Sequence, residues 1–302
     1  MPPNEDRPPW SPDGPPRGAH GAFGLWGVPG RAMYRLALPR WQLPVLRIAV
    51  VSDLHACTPW VSCARVAAIV ARVNTLGADL ILLGGDYLAD RYLPARGLPA
   101  DKIVPILAPL RAPLGVFAAM GNHDWKDCAR SRATGGRENS VIDAFAASET
   151  PLVRNGAVRL RHGGADVWLA VTDSGAPHLP GGAKFDRARA FAGIPQGACV
   201  IHLAHEPDCF ADGDARPVIQ ISGHTHGGQG VIFGRRPMTP SRFGDRYALG
   251  HVRDGDRHLI VSAGIGYTGL PMRFRVPPEI TLIELRQGQD GGGPPHDRHR
   301  DS

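Results

Sequence analysis

Strand-like and helix-like apolar segments alternate from residue 45 to 222, and mainly strand-like ones follow to 286. This order predicts an α/β fold in which βαβ units are joined by a second, β-rich sheet. Composition agrees: the 302 residues are 43% hydrophobic and 21% charged, enough apolar mass for a sizeable core. Several of the strand-like runs also end in clusters of Asp, Asn and His. The carboxyl edge of an open α/β sheet is where such folds bind ligands.

The elements follow in order. Leu46-Arg47-Ile48-Ala49-Val50-Val51 is a short β-branched run, and residues 61–76 carry apolar side chains at amphipathic-helix spacing. Ala78 to Leu83 is a second buried strand, and 101–110 reads as a helix in spite of Pro105. Leu114 to Met120 is a third strand and 138–148 a helix, with 166–172, Ala198 to Ala204 and Pro217 to Ser222 as further strands. Residues 229–233, 258–263 and 279–286 read as strands only. There is no internal repeat.

The ends are different. Residues 1–19 hold seven prolines and residues 287–302 are Gly- and Pro-rich with scattered charges, so both are expected to be disordered. Residues 20–45 mix Phe23, Trp26, Tyr34 and Trp41 with Arg31, Arg35 and Arg40. Such side chains suit a headgroup region, but Gly and Pro interrupt any long helix. A strap packed on the domain is the expectation, with peripheral membrane contact through 20–45 as the alternative. The division is an extension over 1–44, one domain over 45–286 and a tail over 287–302.

Charge and cysteine narrow the class. There are 34 Lys+Arg against 28 Asp+Glu, for a net charge of +6, and only Lys102, Lys126 and Lys184 are lysines. Arginine suits phosphate oxygens, although a compositional bias toward Ala, Gly, Pro and Arg accounts for the excess as well. No Lys/Arg-rich run occurs, so no nucleic-acid polymer is expected as partner. Five cysteines without a CxxC pair argue against a disulfide framework. No run approaches the ~20 apolar residues of a membrane span, and no export signal is evident. The expected location is cytoplasmic, with peripheral contact at the inner membrane as the alternative.

The chemistry lies in five strings: Asp53-Leu54-His55, Gly84-Gly85-Asp86, Gly121-Asn122-His123-Asp124, His205-Glu206-Pro207-Asp208 and Gly223-His224-Thr225-His226. Asp53 and His55 are two apart, so on an extended strand they point the same way. Gly84 and Gly85 permit close backbone approach. Asp, Asn and His without Cys suit Mn, Fe or Zn, with manganese the leading expectation. Asp53 and Asp86 would repel each other unless cations lie between them. Asp53, His55, Asp86, Asn122, His205, His224 and His226 suffice for two ions if one carboxylate bridges. Two ions about 3.5–4 Å apart can hold a hydroxide between them and clamp a phosphoryl transfer.

In this order the strings SDLH at 52–55, GGD at 84–86, GNHD at 121–124, HEPD at 205–208 and GHTHGGQ at 223–229 resemble the calcineurin-like metallophosphoesterases. The resemblance spans 45–286. The ending GYTGLPMRFRVPPEITLIEL at 266–285 is similar to a bacterial branch of membrane-associated or secreted phosphodiesterases. That branch includes enzymes acting on UDP-2,3-diacylglucosamine.

The resemblance implies a four-layer α/β/β/α sandwich of the metallophosphatase type, two facing mixed sheets flanked by helices. It implies that Asp53, His55, Asp86 and His226 hold one divalent ion and Asp86, Asn122, His205 and His224 the other, with Asp86 bridging. It further implies that His123 contacts the phosphate and protonates the leaving oxygen, held in place by Asp124. The expected activity is hydrolysis of a phosphodiester or pyrophosphate bond by a metal-bridging hydroxide. A glycolipid-nucleotide or phospholipid is the expected substrate. The alternatives are a soluble nucleotide or cyclic-nucleotide phosphodiesterase and a non-catalytic metal-binding scaffold.

Other residues have plainer readings. His202, inside an apolar strand, is expected to be a buried, hydrogen-bonded histidine. His20, His162, His178, His251, His258, His296 and His299 are expected to be solvated. The same default applies to Arg235, Arg236, Arg273 and Arg275, although each can be weighed as a phosphate contact. Tyr87 and Trp125 are expected to pack.

Overall fold

The computed structural model describes residues 28–91 and 94–288. The expected disorder over 1–19 and over 287–302 beyond its first two residues, the start of the strap at 20–27, and His20, His296 and His299 lie outside the described residues. Against the expectation of a tail from 287, Gln287 closes the last strand and Gly288 N donates to Leu38 O.

Thirteen strands and six helices are described. The strands are β1 (Gly30–Leu38), β2 (Leu46–Val51), β3 (Cys57–Thr58), β4 (Leu80–Leu83), β5 (Arg96–Gly97), β6 (Val116–Ala118), β7 (Gly156–His162), β8 (Ala165–Thr172), β9 (Cys199–Ala204), β10 (Pro217–Ser222), β11 (Gly250–Asp254), β12 (Arg257–Val261) and β13 (Glu279–Gln287). The helices are α1 (Cys63–Asn74), α2 (Ala100–Leu107), α3 (Asn122–Lys126), α4 (Ala129–Ala133), α5 (Ser140–Ala146) and α6 (Arg187–Phe191).

Two mixed sheets face one another. The first runs β1-β13-β2-β4-β6 and the second β11-β12-β10-β9-β8-β7. Period-two alternation sends one set of side chains inward from each sheet. Ile48, Leu80 and Leu82 of the first sheet share a core with Leu169, Ile201, Leu203, Ile219 and Ile260 of the second. The first sheet's other face, with Ala49, Val51, Ile81 and Leu83, packs on Val66, Ile69 and Val73 of α1, Ile103 and Leu107 of α2 and Phe145 of α5. Ala190 and Phe191 of α6 cover Ala170 and Val200 on the outer face of the second. Each such buried Leu or Ile contributes about 1.5–3 kcal/mol. The result is the expected four-layer α/β/β/α sandwich. The central strands read as continuous apolar runs because both their faces are covered.

Two further expectations are corrected. Residues 30–38, placed in an extension ahead of a domain starting at 45, form β1 and pair in parallel with β13 along their length. Arg31 and Arg35 share one face of this strand with Met33, and charge there reads as a solvated segment in the sequence. Arg35 Nε lies 3.9 Å and Arg47 Nε 3.1 Å from the buried carboxylate of Glu284 on β13, so a distant residue makes the charge acceptable there. The link that follows is a packed strap: Trp41 is buried, and Arg40 donates to the carbonyls of Ala215, Arg216 and Pro217. Residues 229–233 form no strand, and make only isolated bridges from Gly230 to Phe274 and from Ile232 to Arg235.

The topology positions the site. β2, β4 and β6 pair in parallel, as do β9 and β10, so five carboxyl ends lie along one rim of the sandwich. Gly223 N donates to His205 O at 3.0 Å and joins the two ends in the second sheet.

Candidate metal centre

The side chains of the five strings converge, but not by strand alternation. Asp53 and His55 lie beyond the end of β2, and both hold left-handed backbone, with φ of 55° and 43°. Asp86 (57°), His224 (71°) and His226 (51°) do the same. Non-glycine residues seldom adopt this region, and such strain gathers at functional sites where the surroundings enforce it. The carboxyl ends also come very close together. A Cβ on Gly85 would collide with the backbone of Met120 and Gly121, and one on Gly223 with Ser52 and Asp53.

Asp53 Oδ1 lies 3.6 Å from His226 Nε2, and His55 Nε2 lies 3.0 Å from His226 Nε2 and 3.5 Å from Asp86 Oδ2. On the other side of Asp86, the same Oδ2 is 3.1 Å from His205 Nε2. Asn122 Oδ1 lies 2.9 Å from His224 Nδ1. All seven residues expected as ligands therefore meet around Asp86, with the Asp53, His55 and His226 group on one side and the Asp86, His205 and His224 group on the other.

The outer ring nitrogens explain which lone pairs face inward. His55 Nδ1 donates to Leu88 O (3.1 Å), His205 Nδ1 to Gly84 O (2.7 Å) and His224 Nε2 to Pro240 O (3.0 Å). A histidine fixed in this way presents its other nitrogen as a ligand. His226 differs: its Nδ1 meets Arg273 Nη2 at 3.0 Å, and a guanidinium can only donate. Arg273 is buried and also donates to Gly266 O, contrary to the solvated default.

The electrostatics match a cation site. Burial lowers His55 to about 3 and His224 to about 4, and takes His226 well below the ordinary histidine range, so these rings are neutral. Burial pushes Asp53 up to about 6, partly offset by His205. Burial acts on Asp86 in the same sense, but His205, His123 and His55 outweigh it and hold its carboxyl well below the usual range. His205 shows the mirror effect: burial lowers it, and Asp86 raises it well above normal. Even so, Asp53 Oδ2 is buried without a hydrogen-bond partner, and Asp86 Oδ2 and His205 Nε2, 3.1 Å apart, make no well-aligned hydrogen bond. Such orphaned buried groups are expensive unless an ion satisfies them. The donor set therefore fits two divalent cations sharing Asp86.

His123 stands beside this cluster. Its backbone N donates to Asp86 Oδ1 at 2.7 Å, and its ring meets His55 edge-on with centroids 4.6 Å apart. Asp124 does not hold its ring. The Asp124 carboxylate accepts from the backbone N–H groups of Asp86, Tyr87, Leu88 and Gly121, and so ties the second string to the third. The partner of His123 Nδ1 is Asp127 Oδ2 at 2.7 Å. On the helix α3, side chains four apart are neighbours and adjacent ones diverge, which decides the matter. The His-x-x-x-Asp spacing would have revealed Asp127 had a helix been read at 122.

The remaining residues of the strings are structural. Glu206 accepts from Ser174 Oγ and Gly175 N, and Asp208 from Ser241 Oγ and Arg242 N. Tyr87 and Trp125 are buried, as expected. So is His202, whose Nε2 pairs with Thr172 Oγ1 at 3.0 Å. His258 is buried rather than solvated, with its Nδ1 2.9 Å from Nε2 of the stacked His251. His162 Nε2 sits 3.2 Å from Pro44 O and is half-buried. All five cysteines are free, and no helix among the described residues is long and apolar enough to cross a membrane.

Comparison with known proteins agrees with this geometry. The uncharacterized metallophosphoesterase YkuE of Bacillus subtilis is 30% identical over 246 residues, covering 80% of this chain and 79% of that protein. The phosphodiesterase YaeI of Escherichia coli is 28% identical over 255 residues, 83% of this chain and 86% of its own. The UDP-2,3-diacylglucosamine pyrophosphatase LpxG of Chlamydia muridarum is 27% identical over 240 residues, 63% and 68% respectively. The chain spans about half the length of the animal relatives it matches. Residues 46–228 match the calcineurin-like phosphoesterase family model, and the chain belongs to that family of metal-dependent phosphoester hydrolases.

Proposed function

We propose that this chain hydrolyses a phosphodiester or pyrophosphate bond at a two-ion centre. Asp53, His55, Asp86 and His226 would hold one ion, and Asp86, Asn122, His205 and His224 the other. One observation carries the reading: Asp53 Oδ2 is buried without a hydrogen-bond partner, and Asp86 Oδ2 and His205 Nε2 face each other at 3.1 Å without a well-aligned hydrogen bond, at the point where the inner nitrogens of His55 and His224 also face. Bound there, the ions would polarise the phosphoryl group and activate water. His123 would stand at the leaving oxygen. With Nδ1–H donated to Asp127, its Nε2 is the nitrogen left to deliver a proton.

We read manganese as the leading metal, with iron or zinc compatible with the same donors. The substrate reading is a lipid-linked phosphoester, a glycolipid-nucleotide or phospholipid, supported by the similarity to LpxG. A cytoplasmic, reducing compartment completes it, supported by the free cysteines. The test is a turnover panel on one metal-analysed sample, comparing UDP-diacylglucosamine, glycerophosphodiesters, cyclic nucleotides and monoesters. Preference for the lipid substrates is expected, and preference for soluble nucleotides would overturn the substrate reading. Asp86→Ala should abolish turnover and lower metal content together. If it lost turnover with metal content unchanged, the bridging role would be wrong.

A further inference from the structure

Among the described residues, all the exposed large apolar side chains except Val28 and Val45 lie on two segments beside the centre: Ile232, Phe233 and Met238 on one, and Leu270, Met272 and Phe274 on the other. The segments are fastened together, Val231 N donating to Phe274 O at 3.0 Å and Phe274 N to Gln229 O at 2.9 Å. Asp90 pins the second one through Thr268 Oγ1 (2.8 Å) and Gly269 N (3.0 Å). Both adjoin metal-ligand candidates, since residues 226–228 lead into the first and Arg273 of the second holds His226.

The tip is unusual. Ile232 and Arg235 exchange two backbone bonds of 3.0 Å around Phe233 and Gly234, whose φ values are 49° and 76°. That is a tight hairpin turn whose first central position favours Asn, Asp or Gly. Here it holds a phenylalanine that is 100% exposed. The chain thus keeps an aromatic ring in water, in a backbone conformation bulky residues avoid, where a small polar residue would serve the turn better. Arg235 and Arg275 are exposed beside the apolar side chains, Arg275 stacking on Phe274 with its guanidinium 5.5 Å from the ring centroid. Neither has a carboxylate at ion-pair distance among the described residues, so both charges face solvent.

We propose that the hairpin at Phe233 and the adjoining 270–275 loop form a docking surface for an anionic phospholipid bilayer. Phe233 would enter the interface, Ile232, Leu270, Met272 and Phe274 would lie at its surface, and Arg235 and Arg275 would meet lipid phosphates. The charge is complementary to such a surface. A protruding ring with a basic rim needs no matching pocket in a fluid interface, whereas a protein partner would have to supply one. The benefit of docking, bringing the centre to lipid-borne phosphates, rests on the substrate reading above. The binding itself does not.

The test is flotation of the full chain with phosphatidylglycerol/phosphatidylcholine vesicles and with phosphatidylcholine vesicles alone. Wild type should float with the anionic vesicles and much less with the neutral ones. Phe233→Ser should lower partitioning on the order of tenfold or more. Arg235→Gln and Arg275→Gln should each lower it about fivefold on anionic vesicles only. All variants should cleave bis-p-nitrophenyl phosphate at the wild-type rate, which also reports that they fold. As an independent probe, Phe233→Trp should gain fluorescence quenched by brominated acyl chains. Failure of wild type to float, or a Phe233→Ser variant that floats as wild type does, overturns the proposal. Concentration-dependent self-association abolished by Phe233→Ser, without vesicle binding, would make the patch a contact between copies and would also overturn it. Vesicle binding without turnover of lipid-linked phosphates would leave docking in place and defeat only the substrate reading.

Discussion

His123 Nδ1 lies 2.7 Å from a carboxylate oxygen of Asp127, one helical turn further on, and Asp127 is the residue on which α3 ends. The neighbouring Asp124 points the other way, into four backbone N–H groups. Two carboxylates three residues apart thus have separate tasks, one orienting a ring and one building a loop.

Asp127→Asn should slow hydrolysis roughly 10–100-fold, the scale of losing a group that orients a proton donor. Bound metal should remain at wild-type stoichiometry. The loss should be large for alkyl leaving groups and small for p-nitrophenolate, which departs without a proton. A uniform loss across leaving groups would contradict the orienting role.

Asp124→Ala should act on the fold. It strips acceptors from four backbone donors, and each buried orphan costs about 1–3 kcal/mol. Chemical denaturation should show a loss of at least about 3 kcal/mol, or no folded protein at all. A variant of native stability that lacked only activity would restore Asp124 to a direct role at His123.

Arg273→Met removes the buried guanidinium that holds His226 Nδ1. Affinity for the ion at His226 should rise, on the order of tenfold, because a guanidinium donating to Nδ1 leaves the ring proton on the Nε2 that would face the ion, and its charge repels a cation. The metal-free fold should be as stable as wild type or more so, because replacing a buried charge with an apolar side chain is often neutral or favourable. Calorimetric titration with Mn and thermal melts of the chelated protein check both halves.

Acid should destabilise the protein through His202, buried within β9. Burial lowers its pKa to about 3, whereas the unfolded chain titrates near about 6.5. Between those values the unfolded state binds the additional proton, so stability is full above about pH 6.5 and falls as pH drops toward 3. Burial lowers His258 to about 4, which adds in the same window. His202→Gln should flatten the curve by up to ~1.4 kcal/mol per pH unit. An unchanged slope would remove His202 from the account.

Much of the centre was legible because its residues are chemically rare where they stand. A carboxylate or imidazole directly after a buried apolar run needs a reason, and the strings at 53–55, 84–86, 121–124, 205–208 and 223–226 share one. The continuous apolar runs at β2, β4, β9 and β10 were legible for a related reason, being covered on both faces. β1 was not, because Arg31 and Arg35 put charge on one of its faces and the Glu284 that receives Arg35 lies far along the chain. Nor was Asp127, since its pairing depends on α3 starting at Asn122.

By itself, then, the sequence determined most of the order of strands and helices and the set of groups at the rim, because periodicity and side-chain chemistry are local properties; the four layers were implied by the family resemblance. Only the tertiary structure decided how those groups face one another. It bends Asp53, His55, Asp86, His224 and His226 into left-handed backbone, buries Arg273 against His226, and leaves Phe233 exposed at the tip beside them. Those outcomes depend on which distant segments pack together, and local pattern carries no record of that.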